Sequence, residues 1–247
     1  MSSPLSSLRE VAPGVLVATS RVMQTNTTVV VESGRALLID PAWMPDELDA
    51  IAAALRERGL DVAEGFATHA HHDHLLWHPF FGDVPRWASA RTAELADVQR
   101  DALVEALGAE FPADLVDLMG RVDAGSTTFD IELGVHDGQA PGHTAVWLPG
   151  PRVLVAGDML SDVELPLPFD PDDVPAYERA LDVLKPYAQS ARLVVPGHGS
   201  VGADALARWE ADRRYLADVR RTGRSHDARR VNPGMAEEYA RLRNLLA

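Results

Sequence analysis

Four histidines and one aspartate fall within the six residues His69-Ala70-His71-His72-Asp73-His74, nearly half of the nine histidines in the chain. A fold that carries this stretch must bring several imidazoles and a carboxylate together. Those groups are ligands for zinc, iron and manganese, with imidazole favouring zinc, copper, iron and nickel. The apolar run before them predicts a strand over 62–68, and the residues after them a short helical turn over 75–81. Side chains two apart share a strand face, so a strand end would present His69 and His71 to the same side. A turn would then swing Asp73 and His74 back toward that point. This geometry supports two adjacent metals rather than one. The competing reading, a polar helix start with incidental histidines, leaves the spacing unexplained.

The rest of the chain alternates strand and helix signals. Short β-branched runs at 15–18, 27–32 and 36–39 predict an antiparallel meander, ended by Asp40-Pro41 because proline cannot continue a ladder. Leu48, Ile51, Ala52 and Leu55 are spaced for one helix face, with Asp46 as N-cap and Gly59 as stop, which predicts a helix over 46–58. A short strand is expected over 83–87, then helices over 90–107 and 112–119, an insertion of about 90–120 beside the site. Strands are expected over 128–135, 145–148, 152–156 and 193–195, with helices over 173–187, 202–221 and 235–246. Two batches of strands, each followed by helices, predict two packed sheets with helices outside. The chain is expected to form one domain over 1–247.

Three further metal-capable residues lie at predicted strand ends beside glycines: His143 in Pro141-Gly142-His143-Thr144, Asp158 after Gly157, and His198 in Pro196-Gly197-His198-Gly199. Glycine lets the backbone approach closely at such points. Each residue alone is a weak signal; their order along the chain is the stronger one.

The pattern His69-x-His71-x-Asp73-His74, followed by His143, Asp158 and His198, resembles the metallo-β-lactamase fold superfamily. The resemblance covers essentially the whole chain. It implies an α/β fold, a four-layer αββα sandwich with a metal site at the edge between the two sheets. It implies two divalent metal ions, zinc first, with iron or manganese as substitutes. His69, His71 and His143 would hold one ion; Asp73, His74 and His198 would hold the other; Asp158 would bridge both. Asp73 and Asp158 would be the catalytic carboxylates, offsetting the charge of the ions, and Asp40 an outer partner that fixes a ligand imidazole. His72 occupies the variable position of the motif. The chain has no cysteine, so it cannot match the lactamase classes that place a thiolate at the second metal. A bridging aspartate instead resembles the glyoxalase II and lactonase side of the family. Many relatives follow the motif with Gly-Gly, whereas Leu75-Leu76-Trp77 follows here.

The implied reaction is hydrolysis of an ester, thioester or lactone by a water that the two ions acidify. The runners-up are a persulfide-dioxygenase-like iron enzyme and a metal-dependent cyclase or thioesterase of a biosynthetic pathway. Trp43, Trp77, Met159, Leu160 and Phe169 are expected to line an apolar substrate pocket, which would favour an apolar acyl part. The expected partner is a small molecule, with a homodimer as the only protein assembly considered. A net charge of −14 disfavours nucleic acid. No apolar stretch approaches the length of a membrane span, and no secretory signal is visible, so the cytoplasm is the expected compartment. The basic run 213–230 reads as a solvated helix face.

Overall fold

The computed structural model describes residues 8–42, 44–109, 111–168 and 173–246. The chain falls into two compact units, Met1–Ile131 and Glu132–Ala247. Each carries its own sheet and its own apolar core.

The first unit is built on a seven-stranded sheet whose strands lie in chain order. The strands are β1 (Arg9–Ala12), β2 (Val15–Thr19), β3 (Asn26–Glu32), β4 (Arg35–Ile39), β5 (Asp61–Phe66), β6 (Arg86–Ala88) and β7 (Asp123–Ala124). The first four pair antiparallel, as the meander predicts. The remaining pairings are parallel. Parallel pairing needs a long crossover, and α1 (Pro45–Glu57) supplies the one from β4 to β5. Its buried face is Leu48, Ile51, Ala52 and Leu55, the predicted stripe. The N-cap is Met44 rather than Asp46. The buried Glu47 accepts from the Met44 N–H at 3.1 Å and from Ser20 Oγ at 2.7 Å, while Asp46 pairs with Arg21 on the surface. In β4, Ala36, Leu37, Leu38 and Ile39 are all fully buried, the pattern of a central strand covered on both faces.

The predicted helix over 90–107 is broken at Gln99 into α2 (Ala90–Val98) and α3 (Arg100–Leu107), followed by α4 (Ala113–Leu118). Ala96, Leu103, Leu107 and Leu115 belong to the apolar core of this unit, so these helices are part of its packing.

The second unit has a four-stranded sheet in the order β11-β10-β9-β8. Its strands are β8 (Glu132–Val135), β9 (Thr144–Leu148), β10 (Val153–Gly157) and β11 (Leu193–Pro196). The first three are antiparallel neighbours, and β11 joins β10 in parallel through the crossover helix α5 (Val174–Ser190). Asp173 caps α5, its carboxylate accepting the Ala176 N–H at 2.8 Å. Two further helices, α6 (Ala205–Thr222) and α7 (Met235–Leu245), complete the unit. Tyr177, Leu181 and Leu184 of α5 meet Trp209, Tyr215 and Leu216 of α6 within one core. No helix among the described residues is long and apolar enough to cross a membrane.

Candidate functional site

In the first unit the metal-capable donors occupy one loop. β5 ends at Phe66, so His69 and His71 lie beyond the strand and not on its last residues. Strand alternation is therefore not what brings them together; the loop bends after Thr68 and again at His74, whose N–H donates to the His71 carbonyl at 3.1 Å.

Hydrogen bonds fix the ring tautomers. Asp40 is buried, and its backbone is left-handed at φ 49°. Its Oδ1 accepts the Thr68 N–H at 2.8 Å and its Oδ2 accepts the Thr68 hydroxyl at 2.6 Å. A carboxylate is acceptor only, so that hydroxyl proton is committed to Asp40. Thr68 Oγ1 must then accept from His69 Nδ1, 2.9 Å away. The proton sits on Nδ1, and His69 Nε2 keeps its lone pair. That atom is 3.0 Å from His71 Nδ1. The same reasoning applies to His74. Its Nδ1 lies 2.9 Å from Asp40 Oδ2 and donates there, leaving Nε2 3.5 Å from Asp73 Oδ2. Thr25 Oγ1, fully buried, reaches Asp73 Oδ2 at 3.4 Å.

In the second unit the donors come from three loops. His143 follows a turn before β9, and its Nε2 accepts the Asp158 N–H at 3.1 Å. Asp158 follows β10 and His198 follows β11; Asp158 Oδ1 and His198 Nε2 are 3.4 Å apart. Parallel neighbours place these two strand ends side by side. Glycine makes the approach feasible: a Cβ on Gly197 would collide with Asp158 Oδ1, and one on Gly199, at φ 109°, with Asp162 Oδ1.

Two buried guanidinium groups hold these loops. Arg208 Nη1 donates to the Leu160 carbonyl at 3.3 Å and to the Ser200 carbonyl at 3.0 Å, tying the loop after β10 to the loop after β11. Arg229 Nη1 reaches the Ser161 and Glu164 carbonyls, each at 2.9 Å, and Asp212 Oδ1 at 2.7 Å. Ser161 Oγ in turn donates to the His198 carbonyl at 2.7 Å. Arg229 belongs to the run expected to be a solvated face, yet it is buried; its charge is met by Asp212 and Asp227. Burial pushes the Asp212 carboxyl up to about 6, against the pull of Arg229.

The donor spacing fits metal binding. Two ligands on a tetrahedral zinc, each at 2.0–2.1 Å, lie about 3.3 Å apart. The pairs His69–His71, Asp73–His74 and Asp158–His198 stand at 3.0, 3.5 and 3.4 Å. Nitrogen and carboxylate donors of this kind suit zinc, iron or manganese.

Other expected residues have different surroundings. His72 is partly exposed, with Nδ1 3.8 Å from Asp73 Oδ1. His78 is structural: Nδ1 accepts the Phe80 N–H at 3.2 Å and Nε2 faces Asp49 on α1 at 3.2 Å. His136 is buried and stacks on His143 with ring centroids 4.7 Å apart. The register pairing Val135 with Thr144 sets these two rings opposite each other, a contact that sequence spacing does not reveal. The apolar pocket residues need correction. Trp77 is buried, donates its indole N–H to the Gly82 carbonyl at 3.1 Å and stacks edge-on with Phe81. Met159 and Leu160 lie in the apolar core of the second unit. Apolar side chains beside a metal-capable loop are filling interiors here. Trp43 and Phe169 lie outside the described residues.

A model of the family described as "Metallo-beta-lactamase superfamily" matches residues 20–198. The curated protein "Metallo-beta-lactamase type 2" of Bacteroides fragilis is 39% identical over 71 residues, 28% of this chain and 28% of that protein. The chain thus matches little more than a quarter of the length of that relative. The solved DIM-1 metallo-beta-lactamase is similar with a TM-score of 0.63 and 21% identity, over 85% of this chain and 97% of that one. A "Beta-lactamase domain protein" from Burkholderia ambifaria gives 0.63 and 20%, over 89% and 79%. A "Metallo Beta Lactamase" from Erythrobacter litoralis gives 0.63 and 18%, over 85% and 96%. At these identities the structures show the fold, the mixed α/β sandwich class expected from the ligand pattern.

Proposed function

The chain belongs to the metallo-β-lactamase superfamily, and on that premise we propose that this metal-dependent hydrolase cleaves the acyl C–O or C–S bond of an ester, thioester or lactone. The observation that carries this reading is Asp158, a carboxylate 3.4 Å from His198 Nε2, in a chain without a thiolate. The centre is proposed to hold two zinc ions in the ligand order that the family resemblance implies. By that resemblance His69, His71 and His143 would hold one, Asp73, His74 and His198 the other, and Asp158 would serve as a ligand to both. When bound, such ions supply an acidified water and polarise the carbonyl oxygen.

The chain's own residues do the rest. Thr68 and Asp40 hold His69 and His74 in the tautomers that keep the lone pair on Nε2. Asp73 and Asp158 bring two negative charges that would offset the ions. The apolar acyl preference loses its basis, because Trp77, Met159 and Leu160 are interior. The proposal therefore sets no tail length.

A second reading has one observation behind it. The Bacteroides fragilis relative, 39% identical over 71 residues, is named a metallo-beta-lactamase, so β-lactam amide cleavage belongs in the same test. Protein purified without chelator should contain close to two divalent ions per chain, mostly zinc. It should turn over lactones, aryl esters or acyl thioesters faster than β-lactams. One iron per chain with persulfide oxidation, or a clear preference for β-lactams, would overturn the proposal.

A further inference from the structure

Gln139 lies in the turn between β8 and β9, four residues before His143, and is buried at 3% exposure. Its backbone is left-handed, at φ 70°. Glycine occupies that region freely, and asparagine tolerates it; a longer side chain is disfavoured there. The turn imposes this conformation from both sides. The Gly138 N–H donates to His136 Nδ1 at 3.2 Å, and the Gly142 N–H donates to Asp137 Oδ1 at 2.9 Å. A Cβ on Gly138 would run into Ala180 Cβ on α5, so the backbone is pressed against that helix. A glutamine held in this region is carried for its side chain rather than for its backbone.

The side chain has a definite task. Gln139 Nε2 lies 3.2 Å from Asp158 Oδ2. An ionised carboxylate only accepts, so the amide must turn its NH2 toward it. The other oxygen, Oδ1, is the one beside His198 Nε2, at 3.4 Å. The Asp158 N–H is engaged at His143 Nε2, at 3.1 Å, so backbone and side chain are both oriented. A neutral amide suits this place. It fixes the carboxylate without adding positive charge, whereas an arginine or lysine would neutralise Asp158 and repel a cation.

We propose that Gln139 is a positioning residue that fixes the Asp158 carboxylate so that Oδ1 is presented for metal binding beside His198. This rests on the reading of Asp158 as a metal ligand. Outer partners of metal ligands influence affinity by about 10–100-fold, and Gln139 falls in that class.

The test uses the full-length, metal-loaded protein. Gln139→Gly removes the amide and relieves the left-handed strain, so its two effects have opposite signs. Zinc affinity, read by chelator competition, should weaken about 10–100-fold, and the visible spectrum of the cobalt(II)-loaded protein should shift. The melting temperature after zinc is stripped by chelator, where zinc linkage no longer contributes, should stay level or rise. Gln139→Glu, which sets a second negative charge against Asp158, should also disturb the cobalt spectrum. Parental zinc affinity and an unchanged cobalt spectrum in Gln139→Gly would overturn the proposal. So would a fall in melting temperature of the chelator-stripped protein, which would mark a merely structural residue. Asp158→Ala separates the two readings. If it loses zinc while Gln139→Gly does not, only the role of Gln139 fails. If Asp158→Ala also keeps parental affinity, the ligand reading of Asp158 fails, and the proposal with it.

Discussion

The two units solve one chemical problem, holding acidic and imidazole donors at close range, by opposite means. In the first, four donors share the loop His69–His74, and one short network from Asp40 through Thr68 sets two ring tautomers. In the second, His143, Asp158 and His198 come from three loops. They are held by glycines that permit contact and by buried guanidinium groups that bind loop carbonyls. A local cluster needs few supports, because the chain already keeps its members near one another. A dispersed one needs long-range ties, and those carry desolvated charge. Disturbing the supports of the first arrangement should therefore act mainly on metal affinity, and disturbing the guanidinium ties of the second mainly on stability.

The largest effect should fall equally on both units. Asp73→Ala and Asp158→Ala each remove a proposed ligand, and hydrolysis should drop well beyond the roughly 10–100-fold that loss of an outer partner costs. Elemental analysis should show bound metal falling in both. His72→Ala, whose ring is partly exposed, should keep both ions. If His72→Ala loses an ion and His74→Ala does not, the assignment within the loop is wrong.

The next effect should separate the units. Asp212→Ala leaves the Arg229 charge in the interior of the second unit, where the two are paired at 2.7 Å. Breaking a buried pair on one side costs about 3–5 kcal/mol. Denaturant melts should show that loss with little change in zinc affinity of the folded protein. Loss of affinity without loss of stability would mean that the arginine ties act on the donors directly, and the contrast between the units would collapse.

Asp40→Asn is the matching change in the first unit. It keeps the size of the side chain but removes the charge that holds Thr68 and His74. Zinc affinity should fall about 10–100-fold, and stability should change less than in Asp212→Ala. An Asp40→Asn protein with parental zinc affinity would remove the tautomer account.

This difference in construction is also why the two halves were unequally legible in the amino-acid sequence. His69 to His74 announce themselves because local concentration is a property of sequence. Asp40 could be named from its place at a strand end. His143, Asp158 and His198 stood out only through their neighbouring glycines and their resemblance to a family order. Gln139, Arg208 and Arg229 gave no signal. They act on a side chain or on carbonyls 8 to 68 residues away, and only the folded chain defines those contacts. The apolar residues misled for a related reason. Trp77, Met159 and Leu160 adjoin metal-capable residues in sequence, but adjacency does not fix which way a side chain points, and all three turn into cores. The strand positions, by contrast, were largely readable, because alternation and turn residues are local.

The smallest expected effect is the pH dependence of stability, and it should have opposite signs in the two units. Burial raises the Asp212 carboxyl to about 6, against about 3.9 in an unfolded chain. Between those values the folded protein holds a proton that the unfolded chain has released. By linkage, the stabilisation from that proton is full below about 4 and is lost as the pH rises through about 6. His78 behaves in reverse. Burial lowers its pKa, despite the opposing charge of Asp49. The folded protein then resists the proton that the unfolded chain takes up below about 6.5, so stability present above that pH is lost as the pH falls. Denaturant melts of parent, Asp212→Asn and His78→Gln proteins at saturating zinc isolate each contribution by difference, since the other titrating groups are common to all three. Relative to the parent, Asp212→Asn should remove a downward slope between about pH 4 and 6, and His78→Gln should remove an upward slope below about 6.5. Should Asp212→Asn instead remove an upward slope, the pull of Arg229 exceeds the cost of burial. The buried pair would then be a net stabilising contact of the second unit rather than a tie held at the expense of desolvation.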